Sequence, residues 1–424
     1  MLASVASMID QFNLPNIRLM QRMGCEVHVA CNFKTGNTCD RQRIRELLKL
    51  LAGMGAVCHQ WDCPRDIHPA AGCLRAYRQL WELTGRHHYE WLHCHSPVGG
   101  ALARLVAQRR GLRVIYTAHG FHFYQGAPWK NWLLYYPAEK LLSYATDVLV
   151  TVNSEDYLFA KKNMKAQKVC RIPGAGVDLE KFASGSDCLR DAFCTKYHLP
   201  DGAKILLSVG ELNAGKNHRA VIEALAALKR QDVYYIICGQ GALRDELERY
   251  AGGLGVADRI RMPGYQEDMP YIYQNADIFV FPSIREGMPV ALIEAMAAGL
   301  PCIVSNIRGN RELIGDEKDG CVKMNGHAMQ QCAGGIRFSP GQPGQLQKAL
   351  EILLDTPRMR KECGRHNQME AQKYAQAAVQ EKMQKIYAYI DTGCHVSCLT
   401  ESIFKTRSRA CLKEAVSRSG GKHE

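Results

Sequence analysis

The sequence predicts an α/β protein made of two doubly wound halves, each a parallel sheet covered by helices. Three observations predict it. Short apolar runs closed by Gly or Pro alternate with amphipathic stretches, at a repeat of roughly 25–35 residues. The 424 residues exceed one ordinary core and suit two units of roughly 200 residues each. Polar, glycine-bearing segments follow the apolar runs, where open α/β sheets bind their ligands.

In the first half, EVHVA (26–30), WLHC (91–94), RVIYT (113–117) and DVLVT (147–151) read as strands, with helices over 41–51 and 99–109 between them. Only Leu2–Ala6 is available for an opening strand, so that strand is expected to be short. The stretch GAGVDLEKFASGSD, at a boundary near 175–200, is rich in Gly, Ser and Asp and reads as a linker. In the second half, KILLSV (204–209), YYIIC (234–238), IRM (260–262), DIFVF (277–281) and CIV (302–304) read as strands. Val221, Ala224, Leu225 and Leu228 share one helical face. PVALIEAMAAG reads as a helix with Pro289 at its start and Gly299 as its cap. The expected division is 1–180, 181–390 and a peripheral or disordered tail over 391–424.

Hydrophobic content of 46% and charged content of 23% are those of a globular protein in water. No run approaches a membrane span, and MLASVASMIDQFN shows neither the basic nor the apolar region of a signal peptide. The 18 cysteines form no C-x-x-C pair and many lie in apolar runs, which favours small core residues in a reducing cytoplasm. Most of the net charge of +12 falls before residue 180. Such a face suits anionic lipid, a pyrophosphate-bearing acceptor or nucleic acid, but no nucleic-acid-binding module is present.

Candidate site residues follow strands. After KILLSV come Gly210, Glu211 and, just before a helix, Lys216, suited to a phosphate charge. After YYIIC come Gly239 and Gly241, which admit either a ligand or close helix–strand packing. After DIFVF comes Glu286, then Gly287, Met288, Pro289, Val290 and Ala291 leading into the helix that carries Glu294. A helix start offers free N–H groups to a diphosphate, and carboxylates on either side can accept hydrogen bonds from hydroxyls. After RVIYT comes His119, beside Gly120 and expected across the cleft from Lys216 and Glu286.

Together these residues resemble glycosyltransferase family 4, whose members have the GT-B fold of two Rossmann-like domains facing across a cleft. The resemblance rests on EGMPVALIE (286–294), GELNAGK (210–216) and TAHGFHFYQG (117–126), and it runs from about residue 8 to about 390. It is nearest to bacterial members that build capsular, exopolysaccharide or lipopolysaccharide chains. It implies a retaining transfer of a hexosyl or N-acetylhexosaminyl group from a nucleotide-sugar to a lipid-linked or saccharide acceptor. It assigns Glu286 to the donor sugar, Glu294 to ribose, Lys216 to the diphosphate, and His119 to the sugar near the reacting carbon. The backbone of 287–291 would meet phosphate and sugar. Glu211 stands where many members have Arg, and 321–335 reads as an insertion.

No D-x-D occurs, so Lys216 and the helix start would neutralise the leaving diphosphate, and neither a catalytic metal nor a further cofactor is expected. The expected place of work is the cytoplasmic side of the membrane, bound peripherally. A nucleotide-sugar epimerase and a non-catalytic saccharide- or lipid-binding protein are the alternatives. A dehydrogenase is disfavoured because no G-x-G-x-x-G follows an early strand.

Overall fold

The computed structural model describes residues 1–392 apart from 38, 69, 184–189, 316–321 and 325–326. The tail expected over 391–424 lies, from residue 393 on, outside the described residues.

The first half carries β1 (His28–Cys31), β2 (Val57–Gln60), β3 (Trp91–His95), β4 (Arg113–Ala118), β5 (Val148–Thr151) and β6 (Lys168–Arg171). β1 pairs with β2, and β3 through β6 pair in sequence order, all parallel. Leu2 joins the two groups by bridging Ala30 and Cys94 at once. Its N–H donates to the His93 carbonyl at 2.8 Å and its own carbonyl accepts from His95 N–H at 2.9 Å. The opening strand is therefore a single bridging residue, shorter than Leu2–Ala6, because a helix already begins at Ala6.

The second half carries β7 (Lys204–Val209), β8 (Val233–Cys238), β9 (Ile260–Gly264), β10 (Ile278–Phe281), β11 (Cys302–Ser305), β12 (Val322–Met324), β13 (His327–Cys332) and β14 (Gly335–Phe338). Their order is β12-β13-β14-β11-β10-β7-β8-β9. The chain starts in the middle with β7, steps outward to β8 and β9, then returns to lay β10 on the other side. β7 and β10 are neighbours at this reversal, and the loops leaving their carboxyl ends open a crevice. In the first sheet the reversal lies between Leu2 and β3. β13 pairs antiparallel with β14 and with β12, so the described part of 321–335 extends the sheet as a hairpin edge.

The strands read as buried apolar runs because helices cover both faces of each sheet. Ile205, Leu207, Phe279 and Phe281 pack one face of the second sheet, and Leu206, Ile278 and Val280 the other. Among the described residues no disulfide forms.

The last helix, Gln376–Thr392, leaves the second half and packs Val379, Met383, Ile386, Tyr387 and Ile390 into the core of the first. Tyr387 Oη lies 3.0 Å from His93 Nδ1 inside that core. Among the described residues the chain thus crosses between the halves twice, near 177 and near 375. The two crossings are hydrogen-bonded to each other: Val177 N–H donates to the Tyr374 carbonyl at 3.0 Å, and Gln376 N–H to that of Val177 at 2.8 Å.

A buried ion pair ties the halves together elsewhere. Arg308, which opens the helix after β11, reaches Asp156 of the first half. It also donates to the Phe121 carbonyl at 2.7 Å and the Glu286 carbonyl at 3.3 Å, and its guanidinium lies 4.6 Å from the Tyr124 ring centroid. Asp156 accepts from Phe121 N–H at 3.1 Å and from Asn153 Nδ2 at 2.9 Å. Both side chains of the pair are under 5% exposed. Each charge would be stranded without the other, so Arg308→Ala should cost about 3–5 kcal/mol. The double variant Arg308→Met, Asp156→Leu should recover the part owed to the stranded charge but not the part owed to Phe121 N–H, which loses its acceptor. Urea unfolding of the three chains is the measurement; equal midpoints for wild type and Arg308→Ala would remove the latch.

Candidate functional site

Two loops meet at the reversal point of the second sheet. In the first, Lys216 N–H bonds the side chain of Asn213 at 3.0 Å, and Asn217 in left-handed geometry (φ 55°) starts the helix His218–Ala227. This turn sends the Lys216 side chain back over Gly210. In the second loop, Ile284 N–H donates to the Gly215 carbonyl at 2.9 Å, zipping the two loops together. Lys216 Nζ then pairs with Glu286 Oε1 at 2.7 Å, with side-chain exposures of 24% and 15%. The ammonium also stands 5.0 Å from the Phe281 ring centroid.

The helix Val290–Ala297 begins beside this pair. Pro289 at its N-cap supplies no side-chain hydrogen bond, and its first turn holds no acidic residue. Its first N–H groups therefore have no side-chain acceptor, and the positive end of the helix dipole faces the loop. Glu294, on the second turn, sits apart from Lys216. Its carboxylate accepts from Tyr273 Oη at 2.9 Å. Desolvation pushes its pKa up to about 7, with the Tyr273 hydrogen bond pulling against it.

His119 reaches the same region from the end of β4. A Cβ on Gly287 would stand 1.9 Å from the His119 carbonyl oxygen, so only glycine lets the two loops touch. His119 Nε2 lies 3.0 Å from His95 Nδ1. Desolvation lowers the pKa of His119 to about 4, so the imidazole is neutral at physiological pH. A cavity of about 370 Å³ opens beside it, lined by Ser4, Ser96, His119, His122, Glu139 and Arg285 among others. It lies at the reversal point of the first sheet, where Ser4 N–H donates to Ser96 Oγ at 3.1 Å. Lys216, Glu286 and Glu294 are not in its walls.

Of the residues picked from the sequence, the structure brings Lys216 to Glu286 and His119 to Gly287. Met288 packs between the cores of both halves, and Val290 and Ala291 form the first turn of the helix. Glu211 is exposed on its loop. Gly239 and Gly241 face the neighbouring loop: a Cβ on Gly239 would meet the Gly210 carbonyl oxygen at 1.9 Å, and one on Gly241 that of Leu212 at 2.4 Å. Close backbone packing thus explains both glycines. His95, Asp156, Arg308 and Tyr273 escaped the sequence reading. His95 and Arg308 carry the signal that found the others, a polar side chain at or just beyond a strand's carboxyl end.

Residues 190–369 match the family model of group 1 glycosyl transferases, and residues 14–175 match that of the glycosyl transferase 4-like domain. EpsD of Bacillus subtilis, named as a glycosyltransferase, is 34% identical over 397 residues, covering 92% of this chain and 96% of that protein. The UDP-Gal:alpha-D-GlcNAc-diphosphoundecaprenol alpha-1,3-galactosyltransferase of Escherichia coli is 33% identical over 261 residues, covering 59% of this chain and 67% of its own. Among solved structures, HepE of Anabaena in complex with UDP and glucose superimposes with a TM-score of 0.70 at 14% identity, over 91% of this chain and 98% of that one. Likeness at that identity shows the shared two-domain fold.

The raised pKa of Glu294 has a measurable cost. Its folded value of about 7 exceeds the ordinary 4.5, so the folded chain holds a proton the unfolded chain has lost. The stability this gives is fully present below pH 4.5 and is lost as pH rises through 7. Glu294→Gln should therefore stabilise the protein at pH 8, by up to about 3 kcal/mol, and far less at pH 5. Thermal unfolding at the two pH values checks this; an equal shift at both would disprove it.

Proposed function

The chain belongs to the group 1 glycosyl transferases and is a glycosyltransferase; from that premise we propose that it moves a hexosyl or N-acetylhexosaminyl group from a UDP-sugar to a lipid-linked saccharide, with retention, in building a cell-surface polysaccharide. The observation that carries this reading is the Lys216–Glu286 pair at the reversal of the second sheet, beside a helix start without a side-chain cap. The galactosyltransferase of Escherichia coli, whose acceptor is diphosphoundecaprenol-linked, and the UDP held by HepE support the choice of acceptor and donor.

In this proposal residues 181–390 hold the donor and residues 1–180 the acceptor. The bond from the anomeric carbon to the β-phosphate oxygen breaks, and UDP leaves with the electron pair. An acceptor hydroxyl oxygen bonds to the anomeric carbon, and its proton passes to the departing phosphate. Lys216 and the N–H groups of Gly287, Met288, Val290 and Ala291 neutralise the diphosphate. Glu286 accepts hydrogen bonds from the sugar hydroxyls, and Glu294 from ribose. Gly210, Glu211, Gly239 and Gly241 form the floor of the donor side. Neutral His119 contacts the sugar near the reacting carbon, and the cavity beside it takes the acceptor.

Attachment to the inner face of the cytoplasmic membrane belongs to the same proposal. No helix among the described residues is long and apolar enough to cross a membrane. On the helix Trp129–Ser143 the structure divides the aromatic residues between packed and exposed positions. Trp132 packs against Phe123 and Phe159, and Tyr135 against His122. Trp129 (69% exposed), Leu133 and Leu141 stand in solvent with Lys130 on the same helix, and Tyr144 follows just beyond its end. Such a surface suits the headgroup layer of an anionic bilayer.

Two measurements test these statements. A panel of nucleotide-sugars with a polyprenyl-diphosphate-linked saccharide should give acceptor-dependent UDP release, with Lys216→Ala lowering kcat/KM more than tenfold, about 1.4 kcal/mol. Normal kinetics in that variant would withdraw its role. Co-sedimentation should show binding to anionic but not neutral vesicles at low salt, weakening across a salt series. Trp129→Ser with Leu133→Ser should reduce it several-fold. Equal binding to both lipids would end the role given to anionic lipid, no binding at low salt would end the membrane assignment, and either leaves the donor site standing.

A further inference from the structure

Three histidines far apart in sequence meet on the first sheet, well away from the cleft loops. His28 opens β1. His59 lies on β2, two residues beyond Val57, which pairs with His28, so both imidazoles project from one face. His87 follows the helix Ala70–Arg86 and closes the group from the solvent side. One ring nitrogen from each falls within 4.8 Å of the other two. The ring centroids stand 4.8–5.6 Å apart.

The contacts around His28 are those of a ligand set. His28 Nδ1 lies 2.9 Å from His59 Nε2 and 2.7 Å from Tyr89 Oη. An imidazole nitrogen has one lone pair or one proton, and here two polar atoms converge on it. The other ring nitrogen, Nε2, lies 3.1 Å from the Glu26 carboxylate. A carboxylate holding the far N–H of an imidazole fixes the tautomer that presents the opposite nitrogen to a metal.

We infer that His28, His59 and His87 bind a divalent transition ion of the zinc class, with Tyr89 or water as fourth ligand. Imidazole donors suit such ions and not magnesium or calcium. A tetrahedral zinc at 2.0–2.1 Å from each nitrogen would set them about 3.3 Å apart. Small ring rotations from the present spacing reach this. The ion clips the edge strand β2, and the end of the helix Ala70–Arg86, onto β1. Its role is structural, and it stands apart from the sugar-transfer cleft.

The test uses the full chain without a histidine tag, stripped with chelator and titrated with ZnCl₂, then with CoCl₂. The expected result is one tight ion per chain and a higher thermal midpoint with zinc, neither of which MgCl₂ produces. His59→Ala and His87→Ala should each weaken the affinity more than tenfold, and Glu26→Gln by a smaller factor. His87 lies at the rim, so its variant keeps the fold, as far-UV circular dichroism will show. Absence of a tight ion would overturn the inference. So would unchanged affinity in His87→Ala, which takes His87 out of the ligand set, or a thiolate charge-transfer band with cobalt, which places the ion on cysteines.

Discussion

Everything in the cleft depends on two loops approaching until their backbones touch. The His119 carbonyl and Gly287 meet with no room for a side chain between them. Arg308 holds that approach, because it binds the backbone on both sides, at Phe121 and at Glu286, while paired with buried Asp156. Dispersion alone would not fix two halves in register, since apolar surfaces slide. A buried guanidinium with three fixed acceptors does not, because any displacement leaves a charge without a partner.

Around that contact, desolvation sorts the ionisable groups. It raises the acid Glu294 and lowers the base His119, so both favour their neutral forms. Charge is left to groups that answer one another, Lys216 with Glu286, and to the dipole of the helix that begins at Val290. A polyanionic ligand arriving there finds its countercharge already oriented, with little reorganisation needed.

The doubly wound pattern was legible because parallel strands buried on both faces are continuous apolar runs. KILLSV and DIFVF could be placed within a residue of their observed limits. Lys216 and Glu286 were legible by the same logic, as polar residues just past a strand's carboxyl end. Three things were not. Leu2 bridges two strands as one residue, and one residue has no period. The hairpin edge near 327–338 runs through polar residues such as Gln330 and Gln331, without the apolar run of a central strand. Partners such as Arg308 and Asp156 lie 152 residues apart, and single-residue reading cannot pair them. The glycines at 239 and 241 looked equally suited to ligand or to packing, and the neighbouring backbone accounts for both.

The paired crossings at 177 and 375 have a mechanical meaning. A single linker works as a tether, about which two bodies can swing, twist and separate. Two adjacent linkers stitched together by backbone hydrogen bonds work as a leaf hinge: they resist torsion and stretching and leave bending about one line. The helix Gln376–Thr392, anchored in the far core, makes the second linker as firmly rooted as the first. Bending about that line is the one relative motion the stitched linkers leave free, and the Arg308–Asp156 pair across the mouth opposes it.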